Sequence, residues 1–216
     1  LHISFGDPDF FNGTTHGIRL ARALHDAFPH VTFDATIKIQ HLIDHAGLLP
    51  ELRRCGCLFV TSAVESVDDE ILRHLAKNHA SRDFDRAVAL TREAGIALAP
   101  TFVAFTPWTT LPGYLALLAR LVELGLVASV PPAFDAFWGG AAGLYEARLG
   151  RDRVPGTNPL ATFATQGVRL AFGSDSPVTR FDPWGAVRAA VEHHEAGQRL
   201  DVATALTAHT AGGHEA

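Results

Sequence analysis

The chain of 216 residues has no methionine and only two cysteines. Without methionine even at position 1, and opening directly on the strand-like run Leu1-His2-Ile3-Ser4-Phe5, it is expected to be a fragment. Cys55 and Cys57 are one residue apart, and a disulfide between such near neighbours would be badly strained. Reduced thiols and a cytoplasmic setting are therefore expected. Basic residues are not in excess: 18 Lys and Arg face 23 Asp and Glu, and no basic stripe appears, which argues against a nucleic-acid partner. The start carries no basic segment followed by an apolar one, so no signal peptide is expected. One uncharged stretch, Ala94 to Ala119, is long enough to span a bilayer. Gly95, Pro100, Pro107, Pro112 and Gly113 break it into a strand, a loop and a helix, so no membrane partner is expected.

What is present is a globular balance: 47% hydrophobic and 19% charged residues can bury a sizeable core, in one large domain or two small ones. Apolar, β-branched runs predict strands at Leu1–Phe5, Val31–Ile39, Cys57–Ala63, Ala97–Phe105, Val127–Val130 and Val168–Phe172. Helical segments fall between them, at Thr15–Phe28, Asp83–Ala94, Gly113–Leu124 and Pro159–Gln166. Gly56, Gly95, Gly125 and Gly167 each stand where a helix should stop before the next strand. The alternation predicts an α/β fold with right-handed crossovers and a parallel sheet, either doubly wound or a barrel. In both, chemistry belongs at the carboxyl ends of the strands, and the expected partner is a small-molecule ligand.

At the first of these ends, Gly6, Asp7 and Asp9 follow the first strand, and Ser62 and Glu65 mark the third. Carboxylates on one rim could accept hydrogen bonds from an ammonium group or ribose hydroxyls, and Gly6 would let a ligand approach the backbone. Alternatively, Asp7 and Asp9 shape a turn and Glu65 caps a helix starting near Val67. Ile3-Ser4-Phe5-Gly6-Asp7-Pro8-Asp9-Phe10-Phe11 and Ser62-Ala63-Val64-Glu65-Ser66, the latter followed by Asp69, Ile71-Leu72 and Lys77, resemble strand segments of radical S-adenosylmethionine enzymes. Phe102 to Thr110 resembles the next unit, so the likeness runs from residue 1 to about 127. It implies S-adenosylmethionine and a [4Fe–4S] cluster as cofactors. Gly6 and Asp7 would lie near the methionyl amino group, and Ser62 and Glu65 near the ribose or methionyl part. The family holds its cluster through a CxxxCxxC loop, and this sequence contains none. Cys55 and Cys57 have the wrong spacing and are read as small buried hydrophobes.

At the other end, Val168 to Pro177 places Asp175 just past an apolar strand. Such an aspartate can ligate a divalent metal and take a proton from metal-bound water, or it can cap the following turn. Gly173-Ser174-Asp175-Ser176-Pro177, with Asp182-Pro183-Trp184, Trp138-Gly139-Gly140 and Ala208-His209-Thr210-Ala211-Gly212-Gly213, resembles the closing part of amidohydrolase-superfamily barrels, over about residues 125 to 216. The likeness implies zinc or another divalent metal, with Asp175 as metal ligand and general base in hydrolysis of C–N bonds. That superfamily adds an HxH pair and further histidines, and none of the twelve histidines here forms an HxH pair. His41 and His45 are spaced i, i+4 and are read as a solvated helix face, and His193, His194 and His209 as surface or packing residues.

The two likenesses meet near Leu121–Val127, with no Pro/Ser-rich linker. The expectation is a parallel β/α partial barrel, TIM-barrel-like, of about six strands, with residues 1–127 and 128–216 in one continuous layer. A hybrid or fragment related to radical S-adenosylmethionine enzymes and inactive as it stands is the functional expectation; an amidohydrolase relative and a noncatalytic hybrid barrel are the alternatives.

Overall fold

The computed structural model describes residues 1–104 and 106–215. All six expected strands form, and every pairing is parallel: β1 (His2–Ser4), β2 (Thr32–Thr36), β3 (Cys57–Glu65), β4 (Ala97–Phe102), β5 (Val127–Val130) and β6 (Arg169–Phe172). The protein is therefore a parallel α/β structure. Phe105, the expected end of the fourth strand, lies outside the described residues. Hydrogen bonding joins the strands into a four-stranded sheet, in the order β1-β2-β3-β4, and a two-stranded sheet, β5-β6. The chain divides into two compact units, Leu1–Leu117 and Leu118–Ala216.

The first unit carries α1 (Thr14–Ala27), α2 (Ile39–Asp44), α3 (Leu49–Arg54), α4 (Asp69–His74) and α5 (Ser81–Glu93), and α6 (Leu111–Glu123) leads from it into the second unit. Strand β2 alternates because its sequence does: Phe33 and Ala35 are fully buried, with half-buried polar residues between them. On α5, Phe84, Ala87, Val88 and Thr91 recur at i, i+3, i+4 and i+7 and make the buried stripe. The one polar member of that stripe, Thr91, is satisfied locally, its hydroxyl donating to Ala87 O at 2.9 Å.

The four glycine stops all adopt positive φ, as their placement predicted. Gly56 shows why glycine is needed there. At φ 104° the backbone leaves α3 for β3, and a Cβ would sit 2.8 Å from Val31 O. Aspartates start three helices. Asp68, Asp182 and Asp201 accept hydrogen bonds from the backbone N–H groups of Glu70, Gly185 and Thr204, respectively, opening α4 and two helices of the second unit.

That unit carries α7 (Ala133–Trp138), α8 (Leu144–Leu149), α9 (Leu160–Thr165), α10 (Pro183–Val191), α11 (Val202–His209) and α12 (Ala211–Glu215). Its core gathers Leu160, Leu170, Phe172, Val187, Ala190, Leu200, Ala205 and Ala208 around the buried side of β6. At the start of α12, Gly212 lies so close to Leu170 O that no Cβ would fit. Among the described residues no helix is long and apolar enough to cross a membrane.

Phe33 is fully buried in the four-stranded sheet. Phe33→Ala is expected to cost about 3–5 kcal/mol, measured as a lowered urea midpoint with an unchanged slope.

Candidate functional site

The carboxyl ends of β1, β2 and β3 form one rim of the four-stranded sheet. Since β2 lies between β1 and β3, the residues after β2 separate the two groups nominated from sequence. Gly6 and Asp7, after β1, are exposed, and a Cβ on Gly6 would meet nothing within 4 Å. Asp7 shapes the turn: its Oδ1 accepts from Asp9 N–H at 2.8 Å.

Asp9 turns inward and is 4% exposed. Its Oδ1 accepts from His41 Nδ1 at 3.1 Å and, at 3.4 Å, from the backbone N–H of Lys38 just past β2. Lys38 Nζ lies 3.2 Å from Oδ2 and His41 Nδ1 2.9 Å from it, yet Oδ2 completes no hydrogen bond with any described residue. Burial pushes the Asp9 carboxyl up, but the hydrogen bonds from His41 and Lys38 outweigh that and hold it below the usual carboxylate range. His45 follows on the same side of α2, its ring centroid 5.9 Å from that of His41 and its Nε2 3.2 Å from Thr14 Oγ1. A solvated helix face does not describe these two histidines. Both are half-buried, and each is tied to a residue from the β1–α1 segment.

At β3, the expected helix cap is corrected: Asp68, not Glu65, caps α4. Glu65 sits at a register shift in the β3–β4 pairing with φ 67°, and its Oε1 accepts from Lys77 Nζ at 2.7 Å. Ser62 shares the buried face of β3 with Val60 and Val64, and its hydroxyl has no partner among the described residues. The structure thus places Gly6 and Asp7 at an open rim, Glu65 in an ion pair, and Ser62 inside the core. Sequence reasoning left Lys38, His41 and His45 out of the site; the usable signals were the i, i+4 histidine spacing and a lysine just past an apolar strand.

The thiols do not fit an iron–sulfur cluster. Both are buried, and burial pushes the Cys55 thiol up and the Cys57 thiol up to about 12, which disfavours the thiolate that a cluster needs.

In the second unit, β6 ends at Phe172 and the chain continues through Gly173, Ser174 and Asp175. The buried Thr179 hydroxyl donates to Ser174 O, and Ser174 Oγ accepts from Ser176 N–H at 3.3 Å. Asp175, at φ 50°, is exposed, and among the described residues no hydrogen bond or ion pair reaches its carboxylate. Beside it opens a cavity of about 220 Å³, walled by Phe172, Ser174, Arg180, Asp182 and His209. His209 Nδ1 is buried, with no hydrogen-bond partner among the described residues.

His193 and His194 are committed elsewhere. Asp135, 2% exposed, accepts from His194 N–H and His194 Nδ1, both at 3.0 Å. His193 donates through Nε2 to Asn158 O and accepts Glu195 N–H at Nδ1. Among the described residues no three His, Cys, Asp or Glu side chains are placed to hold a metal. Asp175 with no imidazole beside it does not fit a hydrolytic metal centre, and no step is routed through one.

Residues 109–216 match the amidohydrolase family. No curated protein matches the chain. Similar solved structures include the radical S-adenosylmethionine methyltransferase TsrM from Kitasatospora setae with cobalamin and a [4Fe–4S] cluster bound, 20% identical over 60% of this chain and 25% of that one, with a TM-score of 0.48. The cobalamin-dependent S-adenosylmethionine radical enzyme OxsB is 21% identical over 55% of this chain and 19% of its own, with a TM-score of 0.48. An uncharacterized metal-dependent hydrolase from Pyrococcus furiosus is 14% identical over 92% of this chain and 49% of its own, with a TM-score of 0.46. The chain spans about a fifth to a half of the length of these structures.

Two outcomes test the first rim. Asp9 has a depressed folded pKa, so its contribution to stability is present above the unfolded value near ~3.9 and is lost as pH falls through the folded one. Asp9→Asn should therefore cost about 1–3 kcal/mol at pH 7, with the gap to the native protein narrowing below about pH 4 in urea titrations. Ser62→Ala removes an unpartnered buried hydroxyl, and the urea midpoint should stay level or rise, by at most about 1 kcal/mol.

Proposed function

The chain belongs to the amidohydrolase family, and on that premise we propose that its second unit binds small molecules carrying an amide and a carboxylate at the carboxyl end of β6, without hydrolysing them. The cavity beside Ser174 carries this reading. Its floor is apolar at Phe172. Its polar groups are the Arg180 guanidinium, suited to a carboxylate, the Ser174 hydroxyl and the Asp182 carboxylate, which already accepts Gly185 N–H through Oδ1, with the His209 ring in the wall. A volume of about 220 Å³ suits a single acylated amino acid rather than a chain of them.

Hydrolysis of an amide asks for two things: a base for the attacking water, and stabilisation of the charge that builds on the carbonyl oxygen. Asp175, exposed and without a carboxylate partner among the described residues, can orient a water and accept its proton. It cannot serve the second need, because a carboxylate repels a developing oxyanion. In the family a divalent metal supplies that stabilisation, and the residues here do not fit one. In this reading Arg180 is spent on the ligand's carboxylate and is not offered to an oxyanion, so binding without turnover is what we propose. The first unit, by its sequence likeness, is the radical-enzyme partner of the hybrid, and its two thiols, Cys55 and Cys57, are not spaced to hold a cluster.

N-acetylphenylalanine, titrated by NMR, should shift signals of Phe172, Ser174 and His209, and Arg180→Ala should weaken binding about tenfold, the loss of one charge-assisted contact. Acetate release should be undetectable with or without added zinc. Turnover that Asp175→Ala abolishes would overturn the proposal.

A further inference from the structure

We propose that His41 and His45 form a two-imidazole site for a divalent transition-metal ion in the first unit, backed by Asp9 and Thr14. The site is separate from the cavity at β6 and does not depend on that reading.

Hydrogen bonding fixes the tautomer of each ring. His41 Nδ1 faces the buried Asp9 carboxylate, which only accepts, so Nδ1 carries the hydrogen and Nε2 keeps its lone pair. Thr14 spends its hydroxyl hydrogen on Phe11 O at 2.9 Å, leaving its oxygen to accept from His45 Nε2 at 3.2 Å. His45 therefore keeps its lone pair on Nδ1. Two neighbouring imidazoles, each with one nitrogen occupied as a donor and the other free, meet the requirement for neutral nitrogen ligands.

The spacing agrees. An ion about 2.0–2.1 Å from each nitrogen puts the two ring centroids about 5–6 Å apart. They stand 5.9 Å apart with a 52° tilt. The rings are held there. His45 meets the buried Phe11 ring edge-on at 5.8 Å, and the pair follows the i, i+4 spacing from α2 to the residue that ends it. Lys38 beside Asp9 balances the carboxylate charge, so the site offers lone pairs rather than net negative charge. That selects for borderline metals such as Cu(II), Ni(II) and Zn(II) and against Mg(II) and Ca(II). Two protein ligands leave the remaining positions to water or another small ligand.

The test is titration of the full chain with Cu(II), followed by calorimetry and electron paramagnetic resonance. One equivalent should bind with the signature of two nitrogen ligands, while Mg(II) and Ca(II) give no heat. His41→Asn and His45→Asn, both at half-buried positions, should each weaken that equivalent at least tenfold with the far-UV circular dichroism unchanged. Thr14→Val, which removes the acceptor for His45, should weaken it less than either. Asp9→Asn should weaken it about 10–100-fold. If the double variant H41N/H45N binds Cu(II) as the native protein does, or if the native spectrum shows no paired nitrogens, binding resides on the other histidines and the proposal fails.

Discussion

The buried carboxylate of Asp9 is the constraint on which the first unit's rim depends. A charge taken out of water needs partners, and the chain supplies them from the segment that follows the neighbouring strand: the Lys38 backbone and ammonium, and the His41 ring. Those contacts tie the loop after β1 to the start of α2. They also decide the rest of the rim. With Asp9 drawn inward, Asp7 and Gly6 are left facing solvent, and His41 is turned so that its second nitrogen is spare.

The second unit solves a similar problem with Asp135, but to a different end. That carboxylate binds both a backbone N–H and a ring nitrogen of His194, while His193 is used up by Asn158 O and Glu195 N–H. Here the acid and the imidazoles lock loops together. Around Asp9 the imidazoles are only half committed, which separates a ligand-ready cluster from a structural one.

Much of the fold was legible because it rests on patterns a sequence carries openly. Apolar runs marked all six strands, and Gly56, Gly95, Gly125 and Gly167 marked helix ends through a backbone conformation that side chains disfavour. Strand order was not legible. Nothing in the text of β1 and β3 says that β2 lies between them, so carboxylates expected on one rim are separated by Lys38 and His41. Ser62 misled for a related reason: alternation puts it on the face of Val60 and Val64, and a likeness of wording does not show which face of a strand a hydroxyl takes. Asp175 was read correctly as the residue past an apolar strand, but its isolation is a property of three-dimensional surroundings that spacing cannot express.

The insulation of Cys55 and Cys57 has a practical side. Thiol reagents attack the ionised sulfur, and both native sulfurs are buried, with burial pushing each thiol up. A single cysteine introduced on an exposed helix position would therefore be the one reactive handle in the native chain. Spin labels or fluorophores could then be placed without first stripping out the two natural residues, which fill space in the core that serine would fill less well.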